Sequence, residues 1–240
     1  MMDKLAILND LQYGEIDLEG QFLRGSNGTF LVLVNHAENS LRAVYKPKAG
    51  EQPLWDFPPG TLGKREVAAF IFDELLGWDL VPPTIYRRKA PLGAGSLQTF
   101  VAHDPQLHYL CMTTEKSEFR RKVLLFDYMI NNADRKSGHF IMDVNEHIWL
   151  IDHGLTFNEQ EKLRTVAWDH AGEAIPPDLH EDIHKAIIEL GTQNGAYGQL
   201  KALLSEIELE ALLRRMKGLL ASGTYPVPSG DRRVIPWPPI

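Results

Sequence analysis

Apolar and polar positions alternate in three short runs between residues 13 and 46, interrupted at Gly25, Ser26, Asn27 and Gly28 and again over 35–40. A period of two belongs to a half-buried strand, so the spacing predicts a three-stranded meander. Leu31, Val32, Leu33 and Val34 are apolar without a break, which predicts a strand covered on both faces and central in a small sheet. The period then lengthens. After Pro58, Pro59 and Gly60, Thr61 is placed to cap a helix in which Leu62, Val67, Phe70, Ile71, Glu74 and Leu75 recur near every 3.6 residues, and Gly77 is placed to end it. Two β-rich pieces follow at 81–87 and 96–101; the prolines opening the first suit a strand's start rather than its middle.

Beyond about Ala102 the helical period dominates. Phe119, Val123, Leu124, Asp127 and Ile130 share one helical face, and residues 139–142 and 148–151 read as a hairpin around a turn at 143–146. Two further helices are expected, over 180–190 and along the stripe Leu209, Leu212, Leu213, Met216, Leu219 and Leu220, which reads as core packing. Ser205 with Glu208 has the spacing of a capping box for the second. From Tyr225 the chain is proline-rich and expected to be extended or irregular, either wrapped on the helices or loose. The prediction is therefore an α+β chain: a small antiparallel-sheet lobe with one helix over residues 1–102, then a larger, mostly helical lobe over 103–240, with a cleft between them where ligands bind preferentially.

Composition narrows the function classes. The 240 residues, 44% of them hydrophobic, suffice for one large core or two modest lobes, and no repeat or low-complexity tract is visible. A net charge of -7 argues against a nucleic-acid or anionic-membrane partner, whose binding depends on basic patches. The runs Arg87-Arg88-Lys89 and Arg120-Arg121-Lys122 read as solvated faces. Neither a leader-like N-terminus nor a bilayer-length apolar stretch is present, so a cytoplasmic protein without integral membrane association is expected. The single cysteine, Cys111, allows no internal disulfide and is expected to pack as a small apolar residue; His108 is the nearest candidate base in sequence.

Several polar residues interrupt this pattern in an order suited to phosphoryl transfer. That reaction requires neutralised triphosphate oxygens, oxygen ligands for one or two divalent cations, and a carboxylate beside the acceptor hydroxyl. The turn Gly25-Ser26-Asn27-Gly28 admits backbone N–H groups close to phosphates, though a plain hairpin loop explains it equally well. Lys46 closes the third strand, and Glu66, twenty positions on, lies in the small-lobe helix, where an ion pair would fix the lysine. The run from Asp127 to His139 is a polar loop that leaves a helix and enters a hairpin, which ends in Asp152-His153-Gly154. Within it Asp134, followed by Arg135, suits orientation or deprotonation of a hydroxyl, and Asp152 suits metal binding. Asn131 and Asn132 are equally placed to cap the preceding helix.

This loop and Asp152-His153-Gly154 resemble the catalytic and metal-binding motifs of the phosphatidylinositol 3-/4-kinase superfamily, particularly its type II phosphatidylinositol 4-kinase branch. Pro53-Leu54-Trp55-Asp56-Phe57-Pro58, Gly60-Thr61-Leu62, Asn131-Asn132-Ala133-Asp134-Arg135-Lys136 and Leu163-Arg164-Thr165-Val166 resemble an uncharacterised bacterial family of kinase-like proteins within it. The resemblance implies a two-lobed protein-kinase-like fold and an ATP-dependent phosphotransferase using Mg or Mn. It implies that residues 25–28 form the phosphate loop, that Lys46 binds phosphate with Glu66 as partner, and that a hinge at 98–101, including Gln98, Phe100 and Val101, lies beside adenine. Asp134 becomes the catalytic aspartate, with Arg135 beside it, and Asp152 the metal aspartate. Five residues beyond Asp134, where kinases of this fold place a metal-ligating asparagine, stands His139, whose imidazole suits manganese better than magnesium. Asn131 or Asn132 is the alternative source of that oxygen. The expected acceptor is a protein hydroxyl or a soluble small molecule; a nucleotide-binding module without turnover and a phosphatidylinositol kinase are the alternatives.

Overall fold

The structure is a computed structural model and describes residues 3–22, 28–112, 117–193, 195–230 and 233–240. Helix α1 (Lys4–Tyr13) precedes strands β1 (Glu15–Gln21), β2 (Phe30–His36) and β3 (Asn39–Pro47). Helix α2 (Leu62–Leu76) leads to β4 (Thr84–Arg87) and β5 (Gly95–Thr99). The five strands form one antiparallel sheet in the order β1-β2-β3-β5-β4. The expected meander is present, but β3 occupies the centre and β2 lies one place outward.

The burial of β2 explains its unbroken apolar run. Val32 and Val34 are fully buried with Leu11, Ala43, Tyr45 and Leu97, whereas Leu31 and Leu33 are only partly covered. Register pairs Leu31 with Val44 and Leu33 with Arg42, which puts both leucines on the face that carries Lys46. One side of the strand serves the sheet core and the other faces the second half of the molecule. Helix α1, absent from the sequence expectation, gives the small lobe a second helix. Its Leu11 closes the core side of the sheet, and its short run starts without a side-chain cap from Asp3, so little in the sequence marks it.

Helix α2 starts after Thr61, whose hydroxyl does not cap it but donates to the Pro58 carbonyl at 2.7 Å, and stops at Gly77, whose φ of +67° is the left-handed conformation in which glycine meets no Cβ penalty. The second half contains α3 (Ser117–Met129), the hairpin β6 (Phe140–Met142) and β7 (Ile148–Leu150), and helices α4 (Pro177–Gly191), α5 (Ala196–Lys201) and α6 (Glu206–Ser222). The main core joins these to α2: Phe72 packs against Phe126 and Phe157 with ring centroids 6.0 and 6.5 Å apart. The α2 helix thus belongs to the small lobe by sequence and to the large lobe by packing. The capping box of α6 is formed, with Ser205 N–H donating to Glu208 Oε2 at 2.8 Å and Glu208 N–H to Ser205 Oγ at 3.4 Å.

The tail wraps the large lobe. The Val234 carbonyl accepts from Thr165 N–H at 3.0 Å and Trp168 Nε1–H at 3.2 Å, and the Pro239 carbonyl accepts from Ser137 N–H at 2.7 Å. Cys111 departs from expectation: it is exposed, with Sγ 3.5 Å from His108 Nε2. Among the described residues no helix is long and apolar enough to cross a membrane.

Candidate active site

The loop that follows α3 is shaped by the end of the helix. Asn131 adopts φ +53°, its N–H reaches the Tyr128 carbonyl at 3.1 Å, and Asn132 N–H reaches the Asp127 carbonyl at 2.9 Å. This is a Schellman ending with asparagine in the left-handed position that glycine usually takes. Both side chains are committed. Asn131 Nδ2 donates to the carbonyls of Asn158 and Gln160, and its Oδ1 accepts from Lys162 N–H. Asn132 Nδ2 donates to Asp127, and its Oδ1 accepts from Asp134 N–H at 3.0 Å. Each is 1% exposed and its oxygen already accepts a backbone N–H, so neither side chain opens onto the space beside His139.

Asp127, fully buried, is the hub beneath the loop. It accepts from Asn132 Nδ2 at 3.1 Å, from Arg135 Nε at 3.0 and 3.2 Å, and from Thr165 Oγ1 at 2.9 Å. Arg135 is also fully buried and donates from Nη1 to the Ile151 carbonyl at 2.7 Å. It joins the loop to the strand that delivers Asp152. Asp134 points outward, its Oδ2 3.2 Å from Lys136 Nζ. Burial pushes its carboxyl above the usual range, with Lys136 pulling it down and Asp152 adding to the rise.

Lys46 and Glu66 form the expected ion pair, and Asp152 joins it. Lys46 Nζ donates to Glu66 Oε1 in a close ion pair and to Asp152 Oδ1 at 3.0 Å, while Glu66 Oε2 accepts from His153 N–H at 2.8 Å. Burial is the largest single influence on the Lys46 ammonium and lowers its pKa, but Asp152 and Glu66 together outweigh it and hold the group above its ordinary value. Lys46 in turn holds Asp152 far below the usual carboxylate range, against the effect of burial. Asp152 is nonetheless open, its side chain 52% exposed, on a backbone with φ +63°. His139 Nε2 lies 3.4 Å from Asp152 Oδ2, and Nδ1 accepts from Lys136 N–H at 3.3 Å, which leaves the ring proton on the nitrogen facing Asp152. Burial lowers its pKa to about 4, so the ring is neutral at pH 7.

Gly25, Ser26 and Asn27 lie outside the described residues. Gly28 donates its N–H to the Gly50 carbonyl at 2.9 Å, and a Cβ on Gly50 would stand 3.0–3.2 Å from the Gly28 backbone, a contact that favours glycine. Gln98 lies within β5, 8% exposed, with Nε2 donating to Thr84 Oγ1 at 2.8 Å. Phe100 N–H donates to the Arg42 carbonyl at 2.9 Å, and the Val101 carbonyl accepts from His103 Nδ1. Leu31, read in the sequence only as part of an apolar strand, and Val44 are half-buried on the face of Lys46; register alone puts them beside the site. On the far side, Asp56 pairs with Lys162 at 2.9 Å and its carbonyl accepts from Asn158 Nδ2, which closes the 53–58 loop over the stretch after Asp152.

Residues 93–210 match the HipA-like kinase family. Over 272 aligned positions the chain is 36% identical to Protein Rv2133c of Mycobacterium tuberculosis, spanning 98% of this chain and 95% of that protein. The chain belongs to the family of Rv2133c. Similar solved structures share the two-lobed kinase fold at 14% identity. The Golgi casein kinase with Mn/ADP bound has a TM-score of 0.58 over 91% of this chain and 74% of that one. Hydra Fam20 with sugar gives 0.54 over 90% and 87%, and the Helicobacter pylori proinflammatory kinase CtkA gives 0.50 over 90% and 94%. The fold is protein-kinase-like, and residues 93–210 are similar to the HipA-like kinase family.

Proposed function

We propose that this Rv2133c relative is an ATP-dependent phosphotransferase that moves the γ-phosphoryl group to a hydroxyl of a protein or a soluble small molecule. The observation that carries this reading is the Lys46 ammonium shared between buried Glu66 and open Asp152, with Asp134 close enough to feel the Asp152 charge. Fixed cations and carboxylates around a cleft are what phosphoryl transfer requires, since positioning and charge stabilisation supply most of its catalysis.

In this mechanism Leu31 and Val44 cover the base, the 98–101 hinge borders it, and Lys46 takes phosphate oxygens on release from Asp152. Asp134 accepts a hydrogen bond from the acceptor hydroxyl and directs its oxygen at the γ-phosphorus. As that O–P bond forms, the bond from the γ-phosphorus to the bridging oxygen breaks; ADP leaves, and the hydroxyl proton passes to Asp134. Arg135 is a positioning residue, since it touches Asp127 and Ile151 but not the cleft.

A divalent cation fits this site as one carried by the nucleotide. Among the described residues no three His, Cys, Asp or Glu side chains converge to hold an ion alone, and Asp152, with ionised and exposed oxygens, would be the residue to hold one brought in with the nucleotide. Such an ion neutralises charge on the transferring group. His139 is adjacent, but its Nε2 becomes a ligand only if the proton moves to Nδ1 and the bond from Lys136 N–H is lost. Asp152 is thus the principal metal residue. The same feature favours a second reading, a nucleotide-binding module without turnover.

The test is transfer from γ-labelled ATP with Mg or Mn, supplied with cell protein extract, a panel of small alcohols, or phosphatidylinositol vesicles. Label should appear in protein or a soluble alcohol, and Asp134→Asn and Asp152→Asn should each reduce the rate at least about a hundredfold. Label in the vesicles alone would replace the acceptor class with the lipid implied by the loop resemblance. ATP binding without turnover in any arm would establish the second reading, and His139→Asn should then raise magnesium-dependent turnover if the histidine is what weakens the metal site.

A further inference from the structure

Arg65 immediately precedes Glu66 on α2, and successive helix residues point about 100° apart. Glu66 turns toward Lys46 and His153; Arg65 turns into the large lobe, where its side chain is 2% exposed. Its Nη2 forms a close ion pair with Glu208 Oε1, and Nη1 donates to the Thr156 carbonyl at 2.5 Å. Nε approaches Thr61 Oγ1 at 3.4 Å, and the guanidinium lies 4.9 Å from the centre of the Phe57 ring. Glu208 is itself fixed, because its other oxygen accepts from both Ser205 N–H and Ser205 Oγ–H at the start of α6. Thr156 stands four residues beyond Asp152, so one buried guanidinium ties α2 to a capped helix start and to the segment leaving the metal aspartate.

We propose that Arg65 is a positioning residue for the phosphate-handling centre: clamped by Glu208 and the Thr156 carbonyl, it holds α2 where Glu66 pairs with Lys46, and it assembles that pair without an external activator. The proposal rests on the reading of Lys46 and Glu66 as phosphate-handling groups. Helix α2 is seated on the large-lobe core while Lys46 stands on β3, so a change in that seating withdraws Glu66 while leaving Lys46 in place. The lysine then keeps only Asp152, the residue needed by the metal. The clamp opposes that change through its two strongest contacts, to Glu208 and to the Thr156 carbonyl, both in the large lobe.

Stability and positioning are separable here. Removing one member of a buried ion pair strands the other charge, whereas replacing both is often neutral. Arg65→Met should therefore lower the melting temperature. Glu208→Gln retains an oxygen for the Ser205 cap, so the double variant Arg65→Met/Glu208→Gln should recover most of the loss. In that double variant we expect amide exchange across residues 62–70 to quicken about tenfold, the affinity for a non-hydrolysable ATP analogue with Mn to fall about tenfold, and Arg65→Lys to restore part of both. A double variant that melts like the wild type and matches it in exchange and affinity would overturn the proposal and leave a structural pair only. Exchange needs no ligand and affinity needs no turnover, so wild-type protein that fails to transfer phosphate refutes the proposed function without deciding the role of Arg65.

Discussion

Asp73 behaves opposite to most carboxylates. It is fully buried near the end of α2, where Oδ2 accepts from Leu80 and Val81 N–H at 2.8 and 2.9 Å while Oδ1 has no partner among the described residues. Burial pushes its pKa up to about 7, against the two backbone hydrogen bonds. The folded state then binds the proton more tightly than the unfolded chain, so the associated stability is full below about 3.8 and lost as pH rises through about 7. Over that window the loss reaches at most roughly 4 kcal/mol. Asp73→Asn imitates the protonated acid and should flatten the profile. Urea unfolding at pH 4, 6 and 8 checks it: parallel profiles for variant and wild type would refute the assignment. Residues of this kind are illegible in sequence, because burial and not residue type sets their behaviour. The Lys46–Glu66 ion pair was legible as a strand-end lysine followed by a helix glutamate, while the roles given to Lys46, Glu66, Asp134 and Asp152 are proposed ones. Arg65 and Glu208 were not legible: partners 143 positions apart leave no local pattern.

Among elements, the most informative is the end of α3, where the two asparagines end the helix and hold the following loop. Asn131 terminates the helix in left-handed geometry, and Asn132 suspends Asp134 N–H from Asp127. The loop is therefore held by its own helix, by Thr165 and by Arg135. Arg135→Met should strand the Asp127 carboxylate and destabilise the fold by about 3–5 kcal/mol. Equilibrium unfolding of variant and wild type measures this, and a cost under about 1 kcal/mol, the scale of an exposed pair, would show that the network does not depend on the arginine. Strong periodicity or a cap made β1 to β3, α2, α3 and α6 readable. Helix α5, with six residues, and the uncapped α1 carry too little pattern to stand out. The centre of the sheet was misplaced for a physical reason: an apolar run records that both faces meet apolar atoms, and in β2 one of those faces borders the Lys46 side of the sheet rather than the sheet core.

At the scale of the whole molecule, the chain from Tyr225 closes around the loops that the two halves bring together. We propose a lobe division at 102/103, although α2 shares its core with the second half, so the sheet is the more independent unit. Among the described residues, the tail's hydrogen bonds next to the cleft go to the large lobe: the Val234 carbonyl takes Thr165 N–H, whose side chain donates to Asp127, and the Pro239 carbonyl takes Ser137 N–H, three residues beyond Asp134. Nothing in its proline content specified that path, which is fixed by backbone groups. Each such hydrogen bond contributes only about 1 kcal/mol net, so removing residues 229–240 should leave a folded protein with a looser 134–137 loop. Under the proposed function, nucleotide affinity, assigned to Lys46 and the sheet, should stay within about twofold, while phosphoryl transfer should fall about tenfold through loss of Asp134 alignment. Isothermal titration with an ATP analogue and turnover of the truncated chain separate the two quantities. An equal loss in both would mean that the tail supports the fold as a whole, and unchanged turnover would mean that the loop holds its geometry through Asp127 alone.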